Sequence, residues 1–216
     1  MPQIMEKLGG TAEQQLGRDL QMFQRVEDGA ADYGWRLWEA DTAAVVLGRF
    51  GNAATEVFER QCQRDGVAVV RRCSGGGAVL VGRGCLNFAA VFALPIHPEL
   101  VDVARSFSIV LNQIAGFLTI EGLSIAGGTD LVVDGRKVSG NAQRRGRRAL
   151  LHHGTLLYEF DPMLAARYLR EPRRQPEYRE RRPHADFMGC LAAPREVLAA
   201  RLSEGLASLA PMTEAC

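Results

Sequence analysis

The sequence predicts a mixed fold of helices and short strands, and three observations carry that reading. Helix-period segments and β-rich runs alternate along the chain, Gly or Asp-Gly marks several of the changes, and Asp134-Gly135 stands between two extended segments as a tight hairpin turn requires. Taking the elements in order, Thr11-Ala12-Glu13-Gln14 fits a capping box, in which side chains satisfy donors that a first helical turn leaves open. Leu16, Leu20, Phe23 and Val26 follow at helical spacing up to Gly29, so they are expected to form the buried face of a first helix. Two β-rich runs, 35–39 and 43–47, precede a helix over 53–64, and Asp65-Gly66 then leads into the apolar run 67–70. Residues 78–81 and 86–94 read as further strands. Pro98 opens a long helix, with Leu100, Val103, Phe107, Val110, Leu111 and Ile114 as its buried face. Residues 131–133 and the strand from Lys137 form the hairpin, the arginine-rich run 144–148 breaks it from the extended segment 149–160, and a short helix spans 161–169. The stretch 171–182, rich in Arg, Pro and Glu, is expected to be a surface loop or a segment ordered only by a ligand. A last amphipathic helix covers 194–209, with no internal repeat and no second domain.

Composition narrows the function. At 216 residues and 47% hydrophobic, the chain can bury one substantial core. Twenty-six basic against 25 acidic residues leave a net charge of +1, which argues against a surface built throughout for nucleic acid or an anionic membrane, so any basic site is local. Cys62, Cys73, Cys85, Cys190 and Cys216 are odd in number and contain no Cys-x-x-Cys pair, so neither a disulfide framework nor a zinc site is indicated. The first ten residues lack a signal peptide's basic start and apolar run, and no stretch approaches the roughly 20 apolar residues of a membrane span. A reducing cytoplasm is the simplest setting.

Two segments carry the chemistry. The chain has 24 arginines but two lysines, and one of these, Lys137, lies at the centre of Gly135-Arg136-Lys137-Val138-Ser139-Gly140-Asn141-Ala142-Gln143. Where arginine supplies the ordinary positive charge, a lysine between two glycines points to a need for a compact, rotatable ammonium, which a planar guanidinium cannot replace in a tight anion site. A solvated turn lysine is the competing interpretation. The second segment is Arg71-Arg72-Cys73-Ser74-Gly75-Gly76-Gly77-Ala78. Three glycines after a strand let backbone N–H groups approach an anion, and the arginines and serine add further donors. A flexible turn would look similar by itself. His152 and His153 alternate on their strand, so only one faces the cleft; His153, beside Gly154 and Thr155, is the expected one.

These segments, with Gly84-Cys85-Leu86-Asn87-Phe88, Thr129-Asp130-Leu131-Val132-Val133-Asp134 and His152-His153-Gly154-Thr155-Leu156-Leu157, resemble the lipoate-protein ligase family, which shares its catalytic domain with biotin-protein ligases and octanoyl transferases. The resemblance implies an α/β domain of α+β type with mixed, largely antiparallel sheets flanked by helices, a single catalytic domain over 1–216 with its core at about 34–191 and no C-terminal accessory domain. It implies that ATP, with Mg2+, and lipoate or octanoate give acyl-AMP, whose acyl group passes to a lysine of an apo lipoyl domain such as glycine cleavage H protein or 2-oxoacid dehydrogenase E2. Lys137 is then the catalytic residue. Arg72, Ser74, Gly75, Gly76, Gly77, Ala78, Asn87, Asp130, Gly140, Asn141, Ala142, Gln143, His153, Gly154 and Thr155 would bind substrate or adenylate, Asp130 orienting Lys137 or helping to hold magnesium.

The sequence departs from familiar bacterial ligases at Leu80-Val81-Gly82-Arg83-Gly84-Cys85, where they carry an aromatic residue and His-Asp-x-Gly-Asn, which puts adenine contacts in doubt. It also carries nothing after Leu191 long enough for the accessory domain many of them have, so either that domain is dispensable or a second polypeptide supplies it. An ATP-independent transferase taking its acyl group from acyl carrier protein through a cysteine thioester is the rival enzyme, with Cys85 or Cys190 as nucleophile. A non-catalytic subunit of a two-part ligase is the rival of another class.

Overall fold

The structure is a computed structural model that describes residues 9–210. Most of the N-terminal decapeptide and Cys216 lie outside the described residues. Helix α1 (Ala12–Glu27) starts with the anticipated box, Thr11 accepting from Gln14 N and Gln14 reaching back to Thr11 N. Its buried stripe is Ala12, Gln15, Asp19, Phe23 and Val26, whereas Leu20 is exposed. The apolar periodicity misplaced this face because α1 lies against a buried arginine, Arg36, that requires polar partners.

Strands β1 (Tyr33–Trp38) and β2 (Ala44–Leu47) follow. The helix expected over 53–64 is two, α2 (Ala53–Glu56) and α3 (Glu59–Asp65). Val57 bridges to Leu169 and Phe58 N–H donates to the Tyr168 carbonyl at 2.8 Å, so tertiary hydrogen bonds replace the helical ones there. Strands β3 (Ala68–Arg71), β4 (Val79–Val81) and β5 (Cys85–Ala93) come next. Helix α4 (Val103–Leu118) begins five residues later than Pro98 suggested, because Asp102 caps it through Arg105 N while Pro98–Leu100 forms a separate 3-10 turn. Val103 is consequently exposed, and Leu100 reaches the core from the turn.

Strand β6 (Ser124–Ala126), not anticipated from its three residues, precedes β7 (Asp130–Val133), β8 (Arg136–Arg145) and β9 (Ala149–Leu157). Helices α5 (Pro162–Tyr168), α6 (His184–Phe187) and α7 (Arg195–Ala207) complete the order. A six-stranded antiparallel sheet runs β1-β5-β9-β8-β7-β6, and a small sheet runs β3-β2-β4 with its β2–β3 pair parallel. This is the mixed, largely antiparallel α/β architecture that was expected. One face of the large sheet packs Leu86, Phe88, Phe92, Leu150 and Leu156 against Val110, Leu111 and Ile114 of α4 and Leu198, Leu202 and Leu206 of α7. Each such side chain contributes roughly 1.5–3 kcal/mol on burial. The other face receives α1 and the glycine loop, and there the polar side chains gather. Among the described residues no helix is long and apolar enough to cross a membrane.

Candidate functional site

Lys137 owes its position to two local irregularities. At the turn before β8, Asp134 and Gly135 both have positive φ, 50° and 69°, the backbone that a two-residue hairpin of this twist needs. The β7–β8 ladder then slips: Val132 pairs with Lys137 but Leu131 pairs with Ser139. Residues 137 and 140 of a regular strand would point to opposite faces; the extra residue of the bulge brings them to the same one. The Lys137 side chain therefore lies across Gly140, with Cε and Nζ 2.8 Å from where a Cβ would stand. Nζ meets Asp130 Oδ1 at 2.9 Å. The second oxygen of Asp130 accepts from the Tyr178 hydroxyl at 2.6 Å. Burial, and next the Asp130 carboxylate, push the Tyr178 phenol up, so it stays protonated as the donor.

From Asp130 a row of register partners crosses the sheet on this face: Asp130, Gly140, Thr155, Asn87 and Trp38. Thr155 Oγ1 donates to Asn87 Oδ1 at 2.7 Å, and the Asn87 amide donates to the Cys85 carbonyl at 3.0 Å. The neighbouring row on the same face is Ala142, His153, Ala89 and Arg36.

The glycine loop is fastened to that second row. Ser74 Oγ and His153 Nε2 are 2.6 Å apart, both residues being buried. Ser74 Oγ also accepts from Arg72 Nε at 3.0 Å. His153 Nδ1 lies 3.9 Å from Asp19 Oδ2, and Asp19 pairs with Arg36 at 2.5 Å and accepts from Trp38 Nε1 at 3.3 Å. Arg36 also donates to the Gln15 carbonyl at 3.1 Å and to its side-chain oxygen. Asp19, Arg36 and Tyr178 were missed in the sequence. The signal for the first two was present, as Gln15, Asp19 and Phe23 share a helical stripe and Arg36 shares a strand face with Trp38.

Arg72 is buried, and its guanidinium is engaged with its own loop: one nitrogen donates to the carbonyls of Gly75 at 2.6 Å and Gly77 at 3.0 Å, another to Val46 at 3.2 Å. Burial pulls its pKa down to about 10, with Glu56 opposing, so it remains a cation at neutral pH. Turning those carbonyls toward Arg72 has a consequence for the donors. Among the described residues, the N–H groups of Gly75, Gly76 and Gly77 have no acceptor, while Ala78 N donates to Glu56 Oε2 at 2.8 Å. Three adjacent unpaired N–H groups form a site suited to an anion.

The remaining expected residues separate from this face. Asn141, Gln143 and Gly154 point to the α4 side, where Asn141 Oδ1 and Gln143 Nε2 hold the two nitrogens of His152 at 3.3 and 3.1 Å. His152 stacks near Phe88 and meets Phe107 edge-on, and burial pulls its pKa to about 3, so it is neutral. Gly154 is required there, because a Cβ would stand 2.0 Å from Asn141 Oδ1. The two candidate nucleophiles are poorly placed for a thiolate. Cys85 is fully buried and burial pushes its thiol up; Cys190 is exposed, yet partial burial raises its thiol as well. A reactive cysteine requires the opposite shift. The stretch 171–182 makes contacts within the protein itself. Tyr178 holds Asp130, Arg179 is buried against Phe187 and pairs with Glu171 at 2.5 Å, and Arg182 donates to the Gly135 carbonyl at 2.9 Å.

Residues 11–197 match the family described as Lipoyl protein ligase A/B catalytic domain. The lipoate-protein ligase LplJ of Bacillus subtilis (strain 168) is 33% identical over 123 residues, 57% of this chain and 36% of that protein. The chain thus aligns with about a third of the length of that curated relative. Among solved structures, a bi-partite lipoate protein ligase from Thermoplasma acidophilum, described together with its E2 lipoyl domain, is similar at TM-score 0.75 and 20% identity over 93% of this chain and 80% of that one. A lipoate-protein ligase A bound with ATP is similar at TM-score 0.71 and 22% identity, over 93% of this chain and 81% of that one. Both structural likenesses concern the fold.

Proposed function

The chain belongs to the Lipoyl protein ligase A/B catalytic domain family, and from that premise we propose that it is a lipoate-protein ligase, activating lipoate or octanoate with ATP to acyl-AMP and passing the acyl group to a lysine of an apo lipoyl domain. One observation carries this reading: Lys137 Nζ and three unpaired N–H groups of the glycine loop serve the same face of the large sheet. A carboxylate attacking an α-phosphate brings two anions together, and the mixed anhydride later develops negative charge on its carbonyl oxygen. Preorganised donors at a dry site oppose the first repulsion and stabilise the second charge. In this reading Lys137 is an electrostatic stabiliser, held partly out of solvent against Asp130 and Gly140, and it need be neither base nor nucleophile. Arg72 shapes the loop by holding its carbonyls, leaving the N–H groups of Gly75, Gly76 and Gly77 for phosphate or carboxylate. The Thr155–Asn87 row forms the floor.

Asp130 offers the hard carboxylate oxygen that magnesium takes together with nucleotide phosphates, so the site fits that ion, which would supply further charge neutralisation when bound. To offer Oδ2 it would exchange the Tyr178 hydroxyl. The burial of Cys85 and the raised thiol of Cys190 favour adenylation over a thioester route.

The test is intact mass of an apo lipoyl domain after incubation with the purified chain in two mixtures. One contains ATP, magnesium and free lipoate or octanoate, the other octanoyl-acyl carrier protein without ATP. Acylation in the first mixture alone is expected; acylation in the second alone would replace the ligase with a transferase. Acylation in the first only after a second polypeptide is added would make this chain the catalytic part of a two-part ligase.

A further inference from the structure

The segment joining β2 to α2 carries an exposed aromatic on a rigid mount. Phe50 is 85% exposed, and it stands at the third position of the turn closed by Gly51 N to the Gly48 carbonyl at 3.0 Å. Isolated exposed apolar residues are ordinary; the fastening of this one is not. Arg71 donates from a single nitrogen to the carbonyls of Gly48, Arg49 and Gly51 at 2.8, 3.1 and 2.9 Å. Arg49 N donates to the Ser74 carbonyl at 2.7 Å. Gly48 fits so closely under the glycine loop that a Cβ would stand 2.0 Å from the Gly76 carbonyl oxygen. The Glu56 carboxylate bridges both segments, accepting from Asn52 N at 2.9 Å and Ala78 N at 2.8 Å. The backbone beneath Phe50 is thereby locked to the loop proposed to hold the acyl-phosphate chemistry.

One exposed arginine lies against the ring and a second is bound to the backbone of its turn. Arg49 Cζ lies 5.2 Å from its centroid and Arg71 grips its turn. Among the described residues neither enters an ion pair. In a chain of net charge +1 this places two guanidinium groups at one aromatic, where the neighbouring Glu56 carboxylate is already engaged by the Asn52 and Ala78 N–H groups. Rigid aromatics and arginines are the side chains that most often dominate a protein interface, because they bury much area at little conformational cost.

We propose that Phe50, with Arg49 against its ring and Arg71 bound to its turn, is the anchor on which the acidic surface of the folded acceptor domain docks beside the glycine loop. The proposal rests on the acyl-transfer reading and adds to it a surface for the acceptor. Charge complementarity selects an acidic protein surface over a neutral one, and two arginines on an otherwise balanced chain are too few to select a nucleic acid.

The experiment compares wild-type chain with Phe50→Ala and Arg49→Glu. The half-reaction is followed as lipoate-dependent ATP–pyrophosphate exchange without acceptor, the full reaction as acyl transfer against apo lipoyl domain concentration. In both variants the KM for the lipoyl domain is expected to rise at least tenfold, with pyrophosphate exchange and the KM for ATP unchanged. Arg49→Glu should also flatten the dependence of that KM on salt. An unchanged acceptor KM overturns the proposal, and so does a raised KM for ATP, which would make Phe50 a stacking platform for adenine. If the wild-type chain shows no exchange, alone or with a second polypeptide that completes a two-part ligase, the ligase reading fails by itself. Fluorescence titration of the apo lipoyl domain still decides the docking: a tenfold weaker Kd for Phe50→Ala supports it and an equal Kd overturns it.

Discussion

At the scale of single residues, space and charge around Lys137 are tightly coupled. Because Cε and Nζ occupy the volume a Cβ at residue 140 would take, Gly140→Ala must displace the ammonium from Asp130 Oδ1 without disturbing the core. In the proposed reaction, acyl transfer is expected to fall by about 100-fold or more, the order seen when one preorganised electrostatic donor is lost, while the thermal midpoint changes little. Lys137→Arg should fail comparably, since the planar fork cannot follow the same path over Gly140; near-wild-type turnover would remove the ammonium from the mechanism. His152 makes a different prediction, about stability. Its pKa is pulled from 6.5 to about 3 by burial, and next by His153, so the unfolded chain binds a proton that the native one refuses as pH falls through this window. Its contribution is fully present above about pH 6.5 and is lost toward pH 3, at up to about 1.4 kcal/mol per pH unit. Denaturant melts of wild type and His152→Phe at pH 7, 6 and 5 should show a shallower decline in the variant. Parallel declines would mean that His152 takes up its proton in the native state. The sequence exposed the alternation of the two histidines and led to His153 for the cleft side. The role of His152 depends on Phe88, Phe107, Asn141 and Gln143 converging from three other elements, which no local pattern records.

At the scale of elements, the segment after α5 and the bulge in β8 do most to shape the site. The stretch 171–182 has a loop's composition, but Tyr178 reaches Asp130 and Arg179 packs on Phe187, so it is fastened over the end of β8. Tyr178→Phe removes the one hydroxyl joining this segment to Asp130. Limited proteolysis within 171–182 should become several times faster and, in the proposed reaction, transfer should slow, with the rest of the chain as resistant as before. An unchanged cleavage rate would locate the fastening in Arg179 and Arg182 instead. The helix over 53–64 illustrates how local periodicity loses to tertiary contact. Nothing near Val57 and Phe58 breaks a helix by propensity; the bridge to Leu169 and the bond to Tyr168 break it.

At the scale of the whole molecule, α1 docks on the large sheet through a buried polar network as well as through Phe23 and Val26. Asp19 is the partner of Arg36 and accepts from Trp38, with His153 beyond it. Asp19→Ala leaves a buried guanidinium without its counter-ion, and about 3–5 kcal/mol of stability is expected to be lost. Asp19→Asn, which keeps an acceptor, should lose less. Equal stability of Asp19→Ala and wild type in denaturant melts would show that Gln15 and water suffice for Arg36.

The sequence by itself determined the alternation of helix and strand, the Asp134-Gly135 turn and the capping box, and it pointed to the glycine loop and Lys137 as the proposed anion site. Each of these depends on backbone preference or side-chain chemistry acting over a few residues. Tertiary structure alone decided much of what each face holds: the bulge that turns Lys137 onto Gly140, the register that aligns Asp130 with Thr155 and Asn87, the partners that enclose His152, and the charged stripe of α1. These follow from strand pairing and from the requirement that buried charge be met, and both are settled between residues far apart in the chain.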